Sequence, residues 1–474
     1  MHTNQTPNPT GSVAEQVQRA RVAQRIANGY DQARVDELVA AAGWAIIEPS
    51  RNRELAELAV AETGVGNVPD KVRKNHRKTL GLLRDLQGAK SVGVISEDKA
   101  LGIVEIARPV GVVCAITPST NPGATPANKI INALKGRNAV IVAPSPKGQS
   151  TAQRLMEHIH AEFDRIGAPR DLVQVLPAPI NKQATAELMT LCDLVVATGS
   201  QANVRAAYTC GTPAFGVGAG NVAGIVDETA DVQAAAERIV RSKTFDNATS
   251  CSSENSLVVL ASVRDALLKA LKERGANLLS AEQADHLQRV MWPQGKLSAD
   301  VTGKSAQHIA ELAGFDDLAA TNPLVLLVDQ GVHEVGPEHP YSGEKLSPVL
   351  TVYTVPDFEA AMQMVERIYA WQGAGHSVGL HTKKLERAVT LGLRLPVARV
   401  IVEQAHCIAT GGSFDNGLPF SLSMGCGTWG GNNFSDNLNY RHYLNTTRVS
   451  VPITERMPTE REIFGAYFDK YGAP

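Results

Sequence analysis

Two short stretches of the chain carry residue types that could do covalent chemistry. In FDNATSCSSENSLVVL, residues 245–260, Cys251 stands among Thr249, Ser250, Ser252 and Ser253 just before an apolar run. Small hydroxyl neighbours leave a thiol within reach of a ligand, and a cysteine thiolate is a strong nucleophile. A buried structural cysteine is the alternative reading of the same residue. In AITPSTNPGATPANKIINALKGRNAVIVAPSPKG, residues 115–148, Asn121 lies between Thr120 and Pro122 where a strand pattern gives way to a helical one. An amide held rigidly at a strand end can donate to an oxyanion. Asn-Pro is also ordinary turn chemistry.

The elements that must position these residues are legible in the hydrophobic pattern. From Val13 to Leu86 apolar residues recur every three or four positions, as in VDELVAAAGWAIIE, which predicts helices. GIVEIARPVGVVCAITP, residues 102–118, reads as two strands meeting at a bend at Arg108-Pro109. Short apolar runs then alternate with amphipathic helices through NAVIVAP, LVQVLP, CDLVVATG and VAGIVDE, the signature of a parallel sheet covered on both faces. A second alternating set begins near Ser253, and beyond Ala405 the chain turns Gly-rich and aromatic, an ordered loop of the kind that serves a site. The expected division is a loose tail over 1–11, a dinucleotide-binding domain over 12–245, a catalytic domain over 246–435 and a C-terminal arm over 436–474.

A length of 474 residues calls for more than one lobe and excludes a small binding module. The formal net charge of −2 gives no reason to expect nucleic acid or an anionic membrane as partner. No apolar run reaches the roughly 18 residues of a membrane span, and MHTNQTPNPTGSVAEQ lacks the features of a signal peptide, so the expectation is a cytoplasmic protein. Six dispersed cysteines, without CxxC or a Cys/His cluster at zinc spacing, read as reduced thiols with no metal site.

Four further segments join the two above in a fixed order: VATGSQANVRAAY (196–208), FGVGAGNVAGIVD (215–227), GEKLSPVLTVY (343–353) and SMGCGTWGGNNFSDNLNYRHYLN (423–445). Together they resemble the aldehyde dehydrogenase superfamily, in particular its CoA-acylating branch, from about Val13 onward. The resemblance implies an α/β fold of two doubly wound lobes, one for cofactor and one for catalysis. It also implies a bridging hairpin arm at about 95–110 that joins subunits into a homodimer or homotetramer. Cys251 matches the family nucleophile, Asn121 the oxyanion donor and Glu344 the acid that holds the nicotinamide ribose. His376 matches a histidine of the acylating branch associated with proton transfer, with a satisfied histidine at a strand start as its alternative. Thr198, Gly199 and Ser200 match the turn that brings a helix N-terminus to the pyrophosphate, although Val204 stands where the family has a second glycine.

Hydrolytic relatives carry a water-activating glutamate in the segment that here reads FGVGAGNV, and Gly216 or Val217 aligns with it. Without that base, a thiol is the expected acyl acceptor, and coenzyme A is the implied cosubstrate. The stretch after the second strand, Ala143 to Lys147, offers no acid to bind a ribose 2′-hydroxyl, while Ser145 and Lys147 could meet a 2′-phosphate. NADP is thus expected ahead of NAD. GGSFDNGLPF and NLNYRHYLNTTRVSVP resemble branch members that act on short anionic aldehydes, sulfoacetaldehyde first and succinate semialdehyde next, with acetaldehyde or propanal as neutral alternatives. Thr249 and Ser250, with His406, Thr410, Ser413 and Asn416 of the following loop, are the expected donors to the anion.

Overall fold

A computed structural model describes residues 12–331 and 334–472, and the tail expected over 1–11 lies outside the described residues. Four helices come first: α1 (Val13–Ala27), α2 (Gln32–Ile47), α3 (Pro49–Thr63) and α4 (Val68–Leu86). Their ends follow local chemistry. Ser12 and Glu15 form a reciprocal capping box, Asp31 and Asn67 cap α2 and α4, and Gly64 ends α3 at φ 65°. β1 (Gly93–Asp98) and β2 (Ile103–Pro109) make the expected hairpin. The Arg108-Pro109 bend falls at the end of β2, after which β3 (Val112–Thr117) enters a different sheet.

In that sheet β3 is joined by β4 (Ala139–Pro144), β5 (Val173–Val175), β6 (Leu194–Thr198) and β7 (Ala214–Val217), all parallel, in the order β5-β4-β3-β6-β7. Helices α5 (Ala124–Lys135), α6 (Gln149–Ile166), α7 (Lys182–Leu191) and α8 (Gln201–Thr209) alternate with these strands along the chain. β3 and β4 are buried along their whole length, which explains why they read as continuous apolar runs. The winding direction reverses at β3. The carboxyl ends of β3 and β6 therefore part at a topological switch point, the place where open α/β sheets receive ligands. Asn121 follows β3 there, and Gly199 and Ser200 follow β6.

The second sheet has seven parallel strands, β8 (Val222–Val226), β9 (Glu254–Leu260), β10 (Ala276–Leu278), β11 (Val325–Gln330), β12 (Val349–Val355), β13 (Val378–His381) and β14 (Val400–Val402), in the order β10-β11-β12-β9-β8-β13-β14. This corrects one boundary. The apolar pattern runs the first lobe to residue 245, yet β8 pairs with β9 and β13, and α9 (Val232–Thr244) packs in the core of the second sheet. A short Val/Ile/Ala strand between helices looks the same in either sheet, so only the long-range pairing assigns it. Between α10 (Ala261–Glu273) and β11 the chain folds as β10 and three helices that build a further core cluster around β11.

β15 (Leu444–Ser450) runs antiparallel to β2 and completes a three-stranded sheet with the hairpin. Leu101, Val449, Val451 and Ile453 are exposed along this arm, and the terminal helix Glu460–Tyr471 buries none of its residues. Among the described residues no helix is long and apolar enough to cross a membrane, and no group of three or more His, Cys, Asp or Glu could hold a metal ion.

Candidate active site

Cys251, Gly220, Glu344 and His376 each precede a strand of the second sheet, namely β9, β8, β12 and β13. They gather along its amino edge, while Asn121 and Ser200 stand at the carboxyl edge of the first. The loop that carries the cysteine is strained. Asp246, Asn247 and Ala248 have φ of 51°, 52° and 57°, three successive non-glycine residues in the left-handed region. Asp246 explains how the loop is held. Its Oδ2 accepts from Lys71 Nζ at 3.1 Å, Lys74 Nζ at 2.5 Å and Thr249 Oγ1 at 2.9 Å, and its Oδ1 accepts from the Asn67 N–H at 3.1 Å. Its own N–H donates to Asp70 Oδ2 at 2.9 Å. Burial alone would raise the Asp246 carboxyl, but Lys74 and Lys71 override it and hold the group below its ordinary range.

Cys251 Sγ lies 3.4 Å from His376 Nε2. Burial, followed by the nearby Glu344, pushes the thiol up, so the resting sulfur keeps its proton and a base must take it. His376 is buried and pushed down to about 3, first by burial and then by Arg399, so its resting ring is neutral. Its Nδ1 lies 2.7 Å from Ser377 Oγ. The tautomer that donates from Nδ1 to this hydroxyl leaves the Nε2 lone pair facing the thiol. Gly220 is required by close approach, because a Cβ there would come 2.4 Å from the Cys251 carbonyl oxygen and 3.1 Å from His376 Cδ2.

Asn121 Oδ1 accepts from Lys74 Nζ at 2.8 Å, so the amide NH2 is the end left for a ligand oxygen. Lys71 Nζ also donates to the Thr120 carbonyl at 3.0 Å, tying this loop to the same ionic cluster. A pocket beside the cysteine is lined by Asn121, Ser250 and Ser252 and by Lys74, Arg77 and Lys78 of α4.

On the cofactor side, Glu344 Oε1 accepts from the Gly220 N–H at 3.2 Å. Burial pushes this carboxyl up to about 8, and no side-chain donor bonds it among the described residues. A ribose hydroxyl would satisfy it. Ser200 caps α8 through the Asn203 N–H, and the Thr198 hydroxyl is bonded to Ser423 Oγ at 2.6 Å. Ser145 and Lys147 follow β4, with Lys147 exposed. Gly216 is buried in β7 with both its N–H and C=O bonded to Tyr208 Oη. A Cβ on Gly216 would come 2.8 Å from Val204 Cγ1 and 2.9 Å from the Tyr208 ring. The Val204 side chain thus fills the space beside Gly216.

The donors expected from the loop after Ala405 are placed differently. His406 is buried, with Nδ1 2.9 Å from the Ser252 carbonyl and 3.0 Å from Thr410 Oγ1. Ser413 Oγ accepts from Arg77 at 2.6 Å and donates to Asp415, and the Asn416 amide donates to Gln404 and the Ala409 carbonyl. None of these four loop residues lines the pocket. A Gly-rich loop with few regular backbone bonds uses its side chains to satisfy itself. Ser250 does line the pocket, whereas Thr249 is taken up by Asp246. The charged residues of the lining come instead from α4, which the sequence reading missed, in a wall that is otherwise largely apolar, with Phe245, Ile408, Leu422 and Met424. The available signal was lysine at 71, 74 and 78 on the helical stripe that Leu82 and Leu86 continue.

The sequence model of the aldehyde dehydrogenase family matches residues 8–311. A sulfoacetaldehyde dehydrogenase (acylating) from Cupriavidus necator is 65% identical over 97% of this chain and 93% of its own length. A succinate-semialdehyde dehydrogenase (acetylating) from Clostridium kluyveri is 37% identical over 96% of this chain and 99% of its own. Among solved structures, an acetylating aldehyde dehydrogenase from Geobacillus thermoglucosidasius superposes with a TM-score of 0.89 at 35% identity, covering 94% of this chain and 98% of that one.

Proposed function

The chain belongs to the aldehyde dehydrogenase family, and from that premise we propose that it is a CoA-acylating dehydrogenase interconverting sulfoacetaldehyde and sulfoacetyl-CoA. One observation carries the reading: the Cys251 thiol stands 3.4 Å from a neutral imidazole, and Gly216 or Val217 stands where the resemblance puts the acid of a hydrolytic enzyme. The two halves of the reaction follow from these groups. His376 Nε2 takes the Cys251 proton, and the sulfur adds to the aldehyde carbon. The resulting oxyanion accepts from the Asn121 amide and the Cys251 N–H. A nicotinamide dinucleotide, NADP ahead of NAD, would when bound supply the hydride acceptor for oxidation of the adduct. Glu344 would hold its ribose, the N-terminus of α8 its pyrophosphate and Lys147 a 2′-phosphate.

Cys251 is left as a thioester. His376 gives its first proton up to solvent and then takes the proton of the CoA thiol. The CoA sulfur attacks the acyl carbon, and the tetrahedral adduct expels the Cys251 thiolate, which takes that second proton back from His376. Aldehyde, oxidised cofactor and CoA become acyl-CoA, reduced cofactor and one proton. The substrate assignment leans on the 65% identity to an enzyme named for sulfoacetaldehyde against 37% to one named for succinate semialdehyde. The exposed apolar residues of the β1-β2-β15 arm support a homodimer or homotetramer. Six unpaired cysteines suit a reducing cytoplasm.

The test is acceptor dependence. With aldehyde and NADP but no CoA, the protein should give one equivalent of reduced cofactor per site as a burst and stop with Cys251 acylated. CoA should restore turnover, and Cys251→Ser should abolish both phases. Steady release of free acid without CoA would overturn the proposal.

A further inference from the structure

Thiol, imidazole and amide account for the covalent chemistry but not for the charge that α4 buries. Lys71, Lys74 and Lys78 are buried at three- and four-residue spacing along one face of the helix, with Arg77 half-buried beside them. Buried cations are costly unless paired. Lys71 and Lys74 are paired through Asp246. The other two are not paired in this way. Lys78 Nζ donates to the carbonyls of Gly411 at 2.7 Å and Gly412 at 3.4 Å. Arg77 donates to the Ile408 carbonyl at 3.3 Å and to Ser413 Oγ at 2.6 Å, with Asp415 acting on it from beyond the serine. Among the described residues no carboxylate is a direct partner of either. Both line the pocket that also contains Asn121 and the two serines flanking Cys251.

We propose that Arg77 and Lys78 bind the sulfonate of the substrate and thereby select a short anionic aldehyde. The proposal rests on Cys251 being the thiol that receives the acyl group. Lys74, which orients Asn121, precedes Arg77 and Lys78 by three and four residues, or about 4.5–6 Å along the helix axis. That spacing suits a carbonyl oxygen and an anionic head separated by one methylene. A sulfonate has three acceptor oxygens, enough for a guanidinium and an ammonium together. Burial, and next Arg77, pushes Lys78 down to about 7, and an anion placed between the two cations relieves their repulsion.

The direct test uses ethanesulfonate, which has the anionic head but no carbonyl. Calorimetry would measure its binding to the full-length wild type and to Arg77→Gln, Arg77→Lys and Lys78→Met, with melting curves as a folding control. Losing one charge-assisted contact should weaken binding roughly 10- to 100-fold, with Arg77→Lys retaining part of the affinity. In turnover, the ratio of kcat/KM for sulfoacetaldehyde to that for propanal should fall by a similar factor. Should Lys78→Met fail to fold, the half-exposed Arg77→Gln still decides. Unchanged ethanesulfonate affinity in Arg77→Gln would overturn the proposal, as would equal losses with both aldehydes. So would a loss confined to succinate semialdehyde, which would make the site a carboxylate site. If the wild type turned over no aldehyde with CoA, the functional reading would fall while the ethanesulfonate measurement still judged the site.

Discussion

Asp246→Asn tests whether the ionic cluster beneath the nucleophile sets its position. The change is nearly isosteric and removes one charge. Oδ2 now accepts from two ammoniums and the Thr249 hydroxyl, and Oδ1 accepts from the Asn67 N–H. An amide has one acceptor oxygen, so in either orientation its NH2 faces a donor. Breaking a buried ion pair by removing one partner costs about 3–5 kcal/mol, because the remaining charge is left in a poor dielectric. The same carboxylate restrains Asp246, Asn247 and Ala248 at positive φ, a conformation worth about 1–2 kcal/mol of strain per residue. Losing the restraint lets that strain drive the loop away from its native path. Cys251 lies five residues downstream, and a displacement of about 1 Å at a reacting group costs roughly 10²-fold in rate. Asp246→Asn should therefore lose about 3–5 kcal/mol in denaturant unfolding and at least about 10²-fold in the cofactor-reduction burst. Lys71→Met combined with Asp246→Asn should recover part of the stability, since one ammonium fewer is left unpaired. A single variant with the wild-type unfolding midpoint and burst rate would refute the role given to the cluster.

Asn121→Ala should lower kcat by roughly 10²- to 10³-fold, the cost of one oxyanion donor, and single-turnover kinetics showing less than a threefold loss would place the oxyanion elsewhere. Gly220→Ala should remove activity while leaving cofactor binding measurable by fluorescence, because the new Cβ would meet the Cys251 carbonyl at 2.4 Å; a fully active variant contradicts that contact. Stability should fall in acid, since burial holds His376 and His381 at about 3 and His406 at about 4, below their ordinary 6.5. The stability these groups contribute is complete above pH 6.5 and is lost as pH falls toward their folded values. Glu254 and Glu344, raised to about 7 and 8, act in the opposite sense down to their ordinary 4.5, so the steepest loss belongs below pH 4.5. A denaturation midpoint that stays flat from pH 6.5 to 3.5 would contradict this.

Much of the site was legible because its signals are local. Cys251 among small hydroxyl residues and Asn121 at a strand end are candidates within a few residues of themselves, and it is the order of six short segments, the Gly-rich one around Gly216 among them, that carries the resemblance. The helices from Val13 to Leu86 and the apolar strands declare themselves by period. Those features depend on the backbone's short-range preferences and on which faces must leave water, and adjacent residues encode both. Other features depend on residues far apart in the chain. VAGIVDE predicts a buried strand in either sheet, and only its pairing with β9 and β13 places it in the second. Lys71, Lys74 and Lys78 share a helical stripe with Leu82 and Leu86, but their partners, Asp246 and the loop after Ala405, are brought against them only by folding. His376 has no local mark that separates a base from a structural histidine, and its 3.4 Å approach to Cys251 joins residues 125 positions apart. Sequence alone determined most of the elements, because periodicity belongs to short segments, and it named Cys251 as the candidate nucleophile through the resemblance of six segments in order. Only the tertiary structure decided which charges are paired and which imidazole meets the thiol, because burial and Coulombic pairing depend on distances that chain neighbours do not set.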